Sequence, residues 1–141
     1  MNLTPEVNFK PQIALAHDRR TDGVTEGVTV DTEGWGGVLF VLGVGDTDGT
    51  LSVKLRDSAD DSTYADVTGA DPMFTALADA VGSQSERYSR VSLQYATAYR
   101  RYLRVSGSVG ASSTGVDYGV TAIKVLPRDS TLANATFDKK L

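Results

Sequence analysis

The stretch Val38-Leu39-Phe40-Val41-Leu42-Gly43-Val44 consists of six apolar residues and one glycine, without a polar side chain. Such an unbroken apolar run is typical of a strand that is covered on both faces or lies in the middle of a sandwich. Turn-forming residues bound it, with Glu33-Gly34-Trp35-Gly36-Gly37 before it and Gly45-Asp46-Thr47-Asp48-Gly49 after it. We therefore predict that residues 38–44 form the central strand of the core.

The segment that follows predicts a second strand. Residues 51–56 read Leu-Ser-Val-Lys-Leu-Arg, and this alternation of apolar and polar side chains is the period of a strand with one buried face. The Asp48-Gly49 pair between the two segments is a common signal of a tight hairpin turn. The pattern therefore predicts that residues 38–44 and 51–56 pair as an antiparallel hairpin.

Alternating or β-branched segments elsewhere predict further strands. They are Val24 to Val30, Tyr64 to Val67, Arg87 to Leu93, Arg101 to Val109 and Tyr118 to Val125. The polar stretch Gly110 to Gly115 is predicted to be a hairpin connection between the last two of them. The short spacing of all these segments predicts an all-β fold, an antiparallel β-sandwich of jelly-roll or immunoglobulin-like topology with seven or eight strands.

One short helix is predicted near residues 71–82. Asp71 is a suitable N-cap, Pro72 suits the first helical position, and Gly82 follows the last apolar residue of the segment. Apolar residues at helical spacing between these ends would give the helix one buried face.

The chain of 141 residues has the size of a single domain with one core. Its first twenty residues contain two prolines and show weak periodicity, and its last fifteen are mostly polar. We therefore expect an extended N-terminal arm at residues 1–20 that contains at most a short strand. The β-sandwich domain would follow at residues 21–126, and a C-terminal tail at residues 127–141.

The composition argues against several classes of function. The formal net charge is -4, which disfavours sequence-independent binding to nucleic acid, because such binding depends on Lys and Arg displacing phosphate counterions. There is no cysteine for a disulfide or a thiolate metal site. The longest apolar run is far shorter than the ~20 residues that span a bilayer, and the first ten residues lack the pattern of a signal peptide. We expect a protein made in the cytoplasm, without nucleic-acid or membrane partners.

No residues form a recognisable catalytic constellation. His17 is the single histidine and lies beside Asp18-Arg19-Arg20, which favours a solvated side chain over a general base. No Gly-x-Ser-x-Gly motif is present. We therefore expect no enzymatic activity, no catalytic or metal-binding residues and no cofactor.

Two acidic turns and one tryptophan each leave an alternative open. Asp46 to Gly49 and Asp57 to Asp61 could offer oxygens to Ca²⁺, but turn aspartates usually accept hydrogen bonds from nearby backbone amides, and we expect that here. Trp35, between glycines, is expected to plug the end of the sandwich, with a stacking platform for a sugar ring as the alternative.

The densest cluster of basic and aromatic residues is Tyr99-Arg100-Arg101-Tyr102-Leu103-Arg104. In a strand, Arg100, Tyr102 and Arg104 would share one face. This face is either simply solvated or an interface to an acidic partner surface, because Arg and Tyr are enriched at binding hot spots. We name these three residues as candidate partner contacts.

Three stretches carry a family resemblance: Gly37 to Gly45 followed closely by Asp48-Gly49, then Leu55 to Val67, then Arg101 to Val105. In this order they resemble the head decoration or cement proteins of tailed bacteriophages. A leucine-ended strand, an acidic serine turn, an aromatic residue and an Arg-Tyr-hydrophobic-Arg-Val strand recur in that family. The helical signal at residues 71–82 departs from the pattern.

The resemblance implies a structural virion protein on the outer surface of a capsid. Members of that family bind the major capsid protein, commonly as trimers, and extend arms over adjacent subunits. It therefore implies a homo-oligomer, with a trimer favoured, that is made in the host cytoplasm. It provides no catalytic residue. Under this reading, the apolar residues of the two termini, Phe9, Ile13, Leu132 and Phe137, are candidate partner contacts.

Two other functions fit the sequence as alternatives. A carbohydrate-binding β-sandwich module would use Trp35 and the tyrosines as stacking surfaces. A head-to-tail connector or a tail component of a phage would have a similar size and β content, but would be present in few copies.

Overall fold

Antiparallel strands make up most of the chain in the computed structural model, which describes residues 9–67, 74–77, 85–92 and 100–127. Ten strands lie within these ranges, and eight of them have four residues or more. They are β1 (Phe9–Arg20), β2 (Gly23–Glu26), β3 (Val30–Asp31), β4 (Trp35–Thr47), β5 (Thr50–Ser58), β6 (Ala65–Asp66), β7 (Phe74–Leu77), β8 (Ser85–Ser92), β9 (Tyr102–Gly110) and β10 (Val116–Pro127).

The strands form two antiparallel sheets. Sheet A has the order β1-β10-β4-β8, and sheet B has the order β2-β9-β5-β6, with β3 also paired to β9 and β7 to β5. The prediction of an all-β antiparallel sandwich is therefore confirmed. Within the described ranges there is no helix that could cross a membrane.

The core lies between the two sheets and is built mainly by side chains that alternate along the strands. Phe40 and Leu42 of β4 point inward from sheet A, and Val53 and Leu55 of β5 point inward from sheet B, all fully buried. Other inward side chains come mainly from β9 and β10, and include Leu103, Val105, Val116, Tyr118 and Val120. Burial of this apolar surface is the main favourable contribution to the stability of the sandwich.

The predicted hairpin between residues 38–44 and 51–56 is wrong. These segments form β4 in sheet A and β5 in sheet B, so they face each other across the core and share no hydrogen-bonded ladder. The same correction applies to residues 110–115, which join β9 of sheet B to β10 of sheet A. An apolar face is buried equally well by pairing beside a strand or by packing opposite it. Periodicity alone therefore cannot separate a hairpin from an arch between sheets.

Asp48 connects the two arches. One carboxylate oxygen, Oδ2, accepts hydrogen bonds from the backbone amides of Ser113 and Thr114, at 3.1 and 2.6 Å, and Oδ1 accepts one from the amide of Gly115 at 3.1 Å. The Ser113 hydroxyl also donates to Asp48 Oδ2. The hydrogen bond from this hydroxyl is the largest of the causes that hold the pKa of Asp48 well below its usual range, and the backbone amides act in the same direction.

The predicted helix near residues 71–82 is wrong in its centre. Residues 74–77 form β7, which pairs with β5 through Leu77 opposite Leu51 and Phe74 opposite Val53. The remaining residues of that prediction lie outside the described ranges. Local capping signals are weak compared with the hydrogen bonds that a neighbouring strand offers, and the edge of β5 supplies such a partner here.

The predicted N-terminal arm of residues 1–20 also needs correction. Residues 9–20 form β1, which pairs with β10 from Phe9 opposite Val125 to Arg20 opposite Val116. The register shifts twice, and the first shift lets the consecutive residues Ala14 and Leu15 both be buried. These bulges explain the weak periodicity of the segment. Residues 1–8 and 128–141 lie outside the described ranges.

The predicted strand from Val24 to Val30 is divided into β2 and β3. Between them the Gly27 amide donates to the Val105 carbonyl of sheet B, and the Val28 amide donates to the Ala14 carbonyl of sheet A, each at 2.8 Å. This short segment therefore links the two sheets along one side of the sandwich.

Candidate interaction surface

The outward face of sheet B is polar and its charges are paired. Lys54 Nζ lies 2.7 Å from the carboxylate of Asp66, and Arg56 lies 3.0 Å from Glu26 and 3.2 Å from Asp66. The Ser106 hydroxyl donates to the same Glu26 carboxylate. Such a surface is typical of a sheet face that meets water.

A second network on sheet B is centred on Arg104. Its guanidinium carbon lies 4.1 Å from the centroid of the Tyr64 ring, and Nη2 lies 3.2 Å from the hydroxyl of Thr29. The hydroxyls of Thr29 and Tyr64 both donate to Asp61. Donation by Thr29, and then by Tyr64, lowers the pKa of Asp61. Burial, and then the contact with Asp61, raises the pKa of Tyr64.

Arg101 is held by acidic residues of the same chain. It makes a bidentate pair with Asp31 through Nε and Nη2, both at 2.8 Å, and Nη2 lies 2.6 Å from Glu33. The hydrogen bond from Arg101 is the largest cause that lowers the pKa of Asp31 to about 2. Its guanidinium also lies 4.9 Å from the ring centroid of Tyr102.

The candidate contacts Arg100, Tyr102 and Arg104 come close together at the start of β9. Arg100 is exposed, and its backbone amide donates to Asp57 at 2.9 Å. Tyr102 and Arg104 are partly exposed. Since Arg104 is already engaged with Tyr64 and Thr29, a partner would have to compete with these contacts. A role for the three residues in binding an acidic surface stays a prediction.

The outward face of three strands of sheet A, β1, β10 and β4, has the opposite character, while Arg90 of the fourth strand, β8, is paired with Leu39. Pro11, Ile123 and Leu39 lie side by side on β1, β10 and β4, and Ile13, Thr121 and Val41 form the next row. The outward apolar side chains of these three strands, which we call the apolar face, are Phe9, Pro11, Ile13, Leu39, Val41, Ile123 and Val125. The strand spacing and rise place them over roughly 10 by 14 Å between Cα atoms. No member of the apolar face is charged.

Two members of the apolar face are large and well exposed. Phe9 is 50% exposed and Ile13 is 63% exposed, although both belong to a regular strand pairing. Leu39, Val41 and Ile123 are partly exposed beside them. Together these side chains form one contiguous apolar patch on the sheet face.

One end of the apolar face is closed by the second bulge of β1. The backbone of His17 passes over Gly119, where an added Cβ would lie 2.7 Å from His17 Cα. A side chain at position 119 would therefore displace β1. His17, predicted to be solvated, is exposed.

Arg20 joins the end of β1 to β10. Its guanidinium donates to the carbonyls of Ala16 and Asp18, at 2.5 and 3.2 Å, and to the carbonyl of Tyr118 at 2.8 Å. The same guanidinium lies 4.7 Å from the centroid of the buried Tyr118 ring. The backbone amide of Val28 donates to the carbonyl of Ala14. These contacts hold the bulged part of β1 to the rest of the sandwich.

The remaining candidates lie elsewhere. Trp35 begins β4 and is partly exposed, with Lys124 Nζ 5.8 Å from its ring. Asp60 accepts hydrogen bonds from the amides of Ser62 and Thr63, so the prediction of ordinary turn chemistry is confirmed there. Within the described ranges no three His, Cys, Asp or Glu side chains are grouped so that they could hold a metal ion. Leu132 and Phe137 lie outside those ranges.

Sequence reasoning identified Phe9 and Ile13 but missed the β4 and β10 members of the apolar face. A signal for them was present, because residues 38–44 are apolar at every position. That pattern predicted that the strand is covered on both of its faces. Among the described residues, other side chains cover only its inner face.

The sequence matches no protein family, and no curated protein matches it either. The fold is similar to that of the SPBc2 prophage-derived protein YomS, with a TM-score of 0.50 and 15% identity over 84% of this chain and 94% of that chain. More distant similarity, each with a TM-score of 0.39, extends to two other domains. The K3 adhesin domain of Lys-gingipain from Porphyromonas gingivalis has 10% identity over 81% of this chain and 72% of that chain. The CBM22-1 xylan-binding domain of Paenibacillus barcinonensis Xyn10C has 11% identity over 85% and 86%.

Proposed function

We propose that this chain is a non-enzymatic structural protein of a phage particle, which binds the major capsid protein through the apolar face and decorates the outside of the capsid. The observation that carries this proposal is the apolar face itself. A sheet face of a lone sandwich is expected to be polar, as in sheet B, whereas sheet A presents Ile13, Leu39 and Ile123 outward.

The comparison with a protein of prophage origin supports the phage assignment, because the two chains share a fold over nearly their whole lengths. The resemblance of the three sequence stretches to decoration proteins points to the same setting. The paired charges of sheet B suit a surface that remains in water once sheet A has docked.

The apolar face is small, so one copy would bind with modest affinity. Oligomerisation compensates for this, because several linked copies of a weak contact bind far more tightly than one. We therefore propose that the protein acts as a homo-oligomer, with a trimer favoured.

Binding to phage particles purified from the source of this chain tests the proposal. We expect Ile13→Asp to lower the affinity by about tenfold or more, because burial of one aliphatic side chain is worth roughly 1.5–3 kcal/mol. The matched control is Val24→Asp on sheet B, since Val24 is 66% exposed. Equal occupancy of the particle by both variants would show that the apolar face is not the docking surface.

The number of copies per particle separates decoration from its alternatives. Quantitative peptide mass spectrometry of the same particles should find this chain within a few-fold of the major capsid protein. A handful of copies would indicate a connector or tail part. Complete absence from the particles would contradict a virion role.

A further inference from the structure

We infer that Lys124, together with Lys10, forms a carboxylate-binding site at one end of the sandwich, and that an acidic side chain of the partner protein occupies it. The site is distinct from the apolar face, although it lies on two of the same strands. The inference rests on the proposed function for the identity of the partner. The burial, the contacts and the charges of the two lysines support the site itself.

Lys124 is an almost fully buried cation. Only 7% of the residue is exposed, and it lies on the same side of β10 as the buried Ala122, facing sheet B. Its ammonium Nζ donates to the backbone carbonyl of Asp31 at 3.2 Å and lies 5.8 Å from the ring of Trp35. In the part of the chain that the structure describes, Lys124 makes no ion pair with a carboxylate. A buried charge without an opposite charge is costly to the fold.

Lys10 adds a second positive charge beside the first. It lies on β1 directly opposite Lys124 on β10, and like charges in such a pair are destabilising. Burial, and then the charge of Lys10, lowers the pKa of Lys124, while the charge of Asp31 acts in the opposite direction. A carboxylate has two oxygens that can accept hydrogen bonds from both ammonium groups. Its negative charge would relieve their repulsion and compensate for the burial of Lys124.

The acidic residues at this end of the sandwich are already bound to another cation. Nη2 of Arg101 lies 2.8 Å from the carboxylate of Asp31 and 2.6 Å from that of Glu33. Arg101, Lys10 and Lys124 together outnumber these two carboxylates by one charge. This end of the sandwich is therefore positive in a chain whose formal net charge is -4, so it suits an anionic group.

The position of the site suits a protein that covers the apolar face. Lys10 stands between Phe9 and Pro11 in β1, and Val125 follows Lys124 in β10. Phe9, Pro11 and Val125 belong to the apolar face, so a partner that extends past its first row meets the exposed Lys10. Apolar contact is non-directional, whereas a charged contact at the rim fixes the register of two surfaces and disfavours wrong partners.

The fluorescence of Trp35, the single tryptophan, tests this inference in the full chain. Titration with a hexaglutamate peptide at low salt should change the emission in a saturable way, and hexaglutamine should not. We expect Lys124→Met, which keeps an apolar stem, to weaken binding about tenfold or more. Lys10→Met should also weaken it while leaving the contact of Lys124 with Trp35 in place. The matched control is Lys54→Met, which removes the same charge from sheet B and should bind as the natural chain does.

The stability of the same variants separates a binding role from a structural one. Since the buried ammonium has no opposite charge beside it in the free protein, Lys124→Met should unfold at the same urea concentration as the natural chain or at a higher one. A lower urea midpoint would show that the charge of Lys124 serves the fold, and would overturn the inference.

Three binding results would also overturn it. The first is the absence of a saturable response to hexaglutamate in the natural chain. The second is equal affinity of Lys124→Met and Lys54→Met for the peptide. The third is binding of trigalacturonate without binding of hexaglutamate, which would assign the site to an acidic sugar. No phage particle is used, so failure of the proposed docking at the apolar face would leave this result unaffected.

Discussion

Gly107 of β9 lies against the aromatic ring of Tyr118 of β10, across the interior between the two sheets. An added Cβ at Gly107 would lie 2.7 Å from Tyr118 Cε2 and 2.8 Å from Cζ. Tyr118 is fully buried, so its ring has no free space to enter. The absence of a side chain at position 107 is what allows the largest residue of the core to fit.

We expect Gly107→Ala to destabilise the protein by about 1–3 kcal/mol, the usual cost of overpacking a core. The matched control is Gly43→Ala on β4, where an added Cβ meets nothing within 4 Å. The free energy of unfolding in urea measures both changes. A smaller loss for Gly107→Ala than for Gly43→Ala would show that Tyr118 moves aside at little cost.

Asp48→Ala should loosen the connection between the two arches. The amides of Ser113, Thr114 and Gly115 would lose their shared acceptor, so their hydrogen exchange should become faster and the urea midpoint should fall. Asp18→Ala is the control, because the Asp18 carboxylate accepts only from the adjacent amide of Arg19 among the contacts described. Unchanged exchange at residues 113–115 in Asp48→Ala would contradict this prediction.

The pair of Asp31 and Arg101 should make stability depend on acid pH. The pKa of Asp31 is about 2 in the folded protein, against an ordinary value of 3.8. The free energy that the ionised Asp31 contributes to the stability of the fold is therefore complete above pH ~4 and is lost as the pH falls towards 2. Asp31 is 43% exposed as a side chain, so solvent screening keeps this contribution small.

Removing the arginine tests this assignment. In Arg101→Gln the carboxyl of Asp31 should titrate nearer its ordinary pKa, as followed by NMR, and the loss of stability below pH 4 should be shallower than in the natural chain. Arg100→Gln removes a neighbouring positive charge but leaves the pair intact, and should titrate as the natural chain does. Identical titration of Asp31 in both variants would assign its low pKa to another cause.

Arg20→Ala should loosen the end of β1 from β10. The carbonyls of Ala16, Asp18 and Tyr118 would lose their shared donor, so the free energy of unfolding in urea should fall by about 1–3 kcal/mol. Arg19→Ala loses the same charge but removes exposed contacts to Thr114 and Asp117 instead, and should cost less than about 1 kcal/mol. An equal or larger loss of stability in Arg19→Ala would contradict this role of Arg20.

The residues that enter the core could be predicted from particular patterns. The alternation at residues 51–56 correctly placed Leu51, Val53 and Leu55 inside. Leu103 and Val105 were likewise predicted to oppose the face of Arg104, and both are buried. Such predictions succeed because successive side chains of a strand point to opposite faces, whatever the strand pairs with.

The candidate surface was predictable only in part. Phe9 and Ile13 were singled out as apolar residues in a polar segment, without knowledge that β1 is the edge strand of sheet A. Their neighbours Ile123 and Leu39 come from distant parts of the chain, and only the register of β10 with β1 and β4 brings the three strands together.

By itself the sequence determined that the chain forms strands, where most of them lie and which of their side chains are buried. These properties depend on backbone periodicity, which is local. The tertiary structure alone decided that β4 and β5 pack across the core, that residues 74–77 form a strand paired with β5, and that residues 9–20 belong to sheet A. Pairing beside a strand and packing opposite it bury the same apolar side chains. The choice between them is therefore made by hydrogen bonds and contacts between residues far apart in the chain.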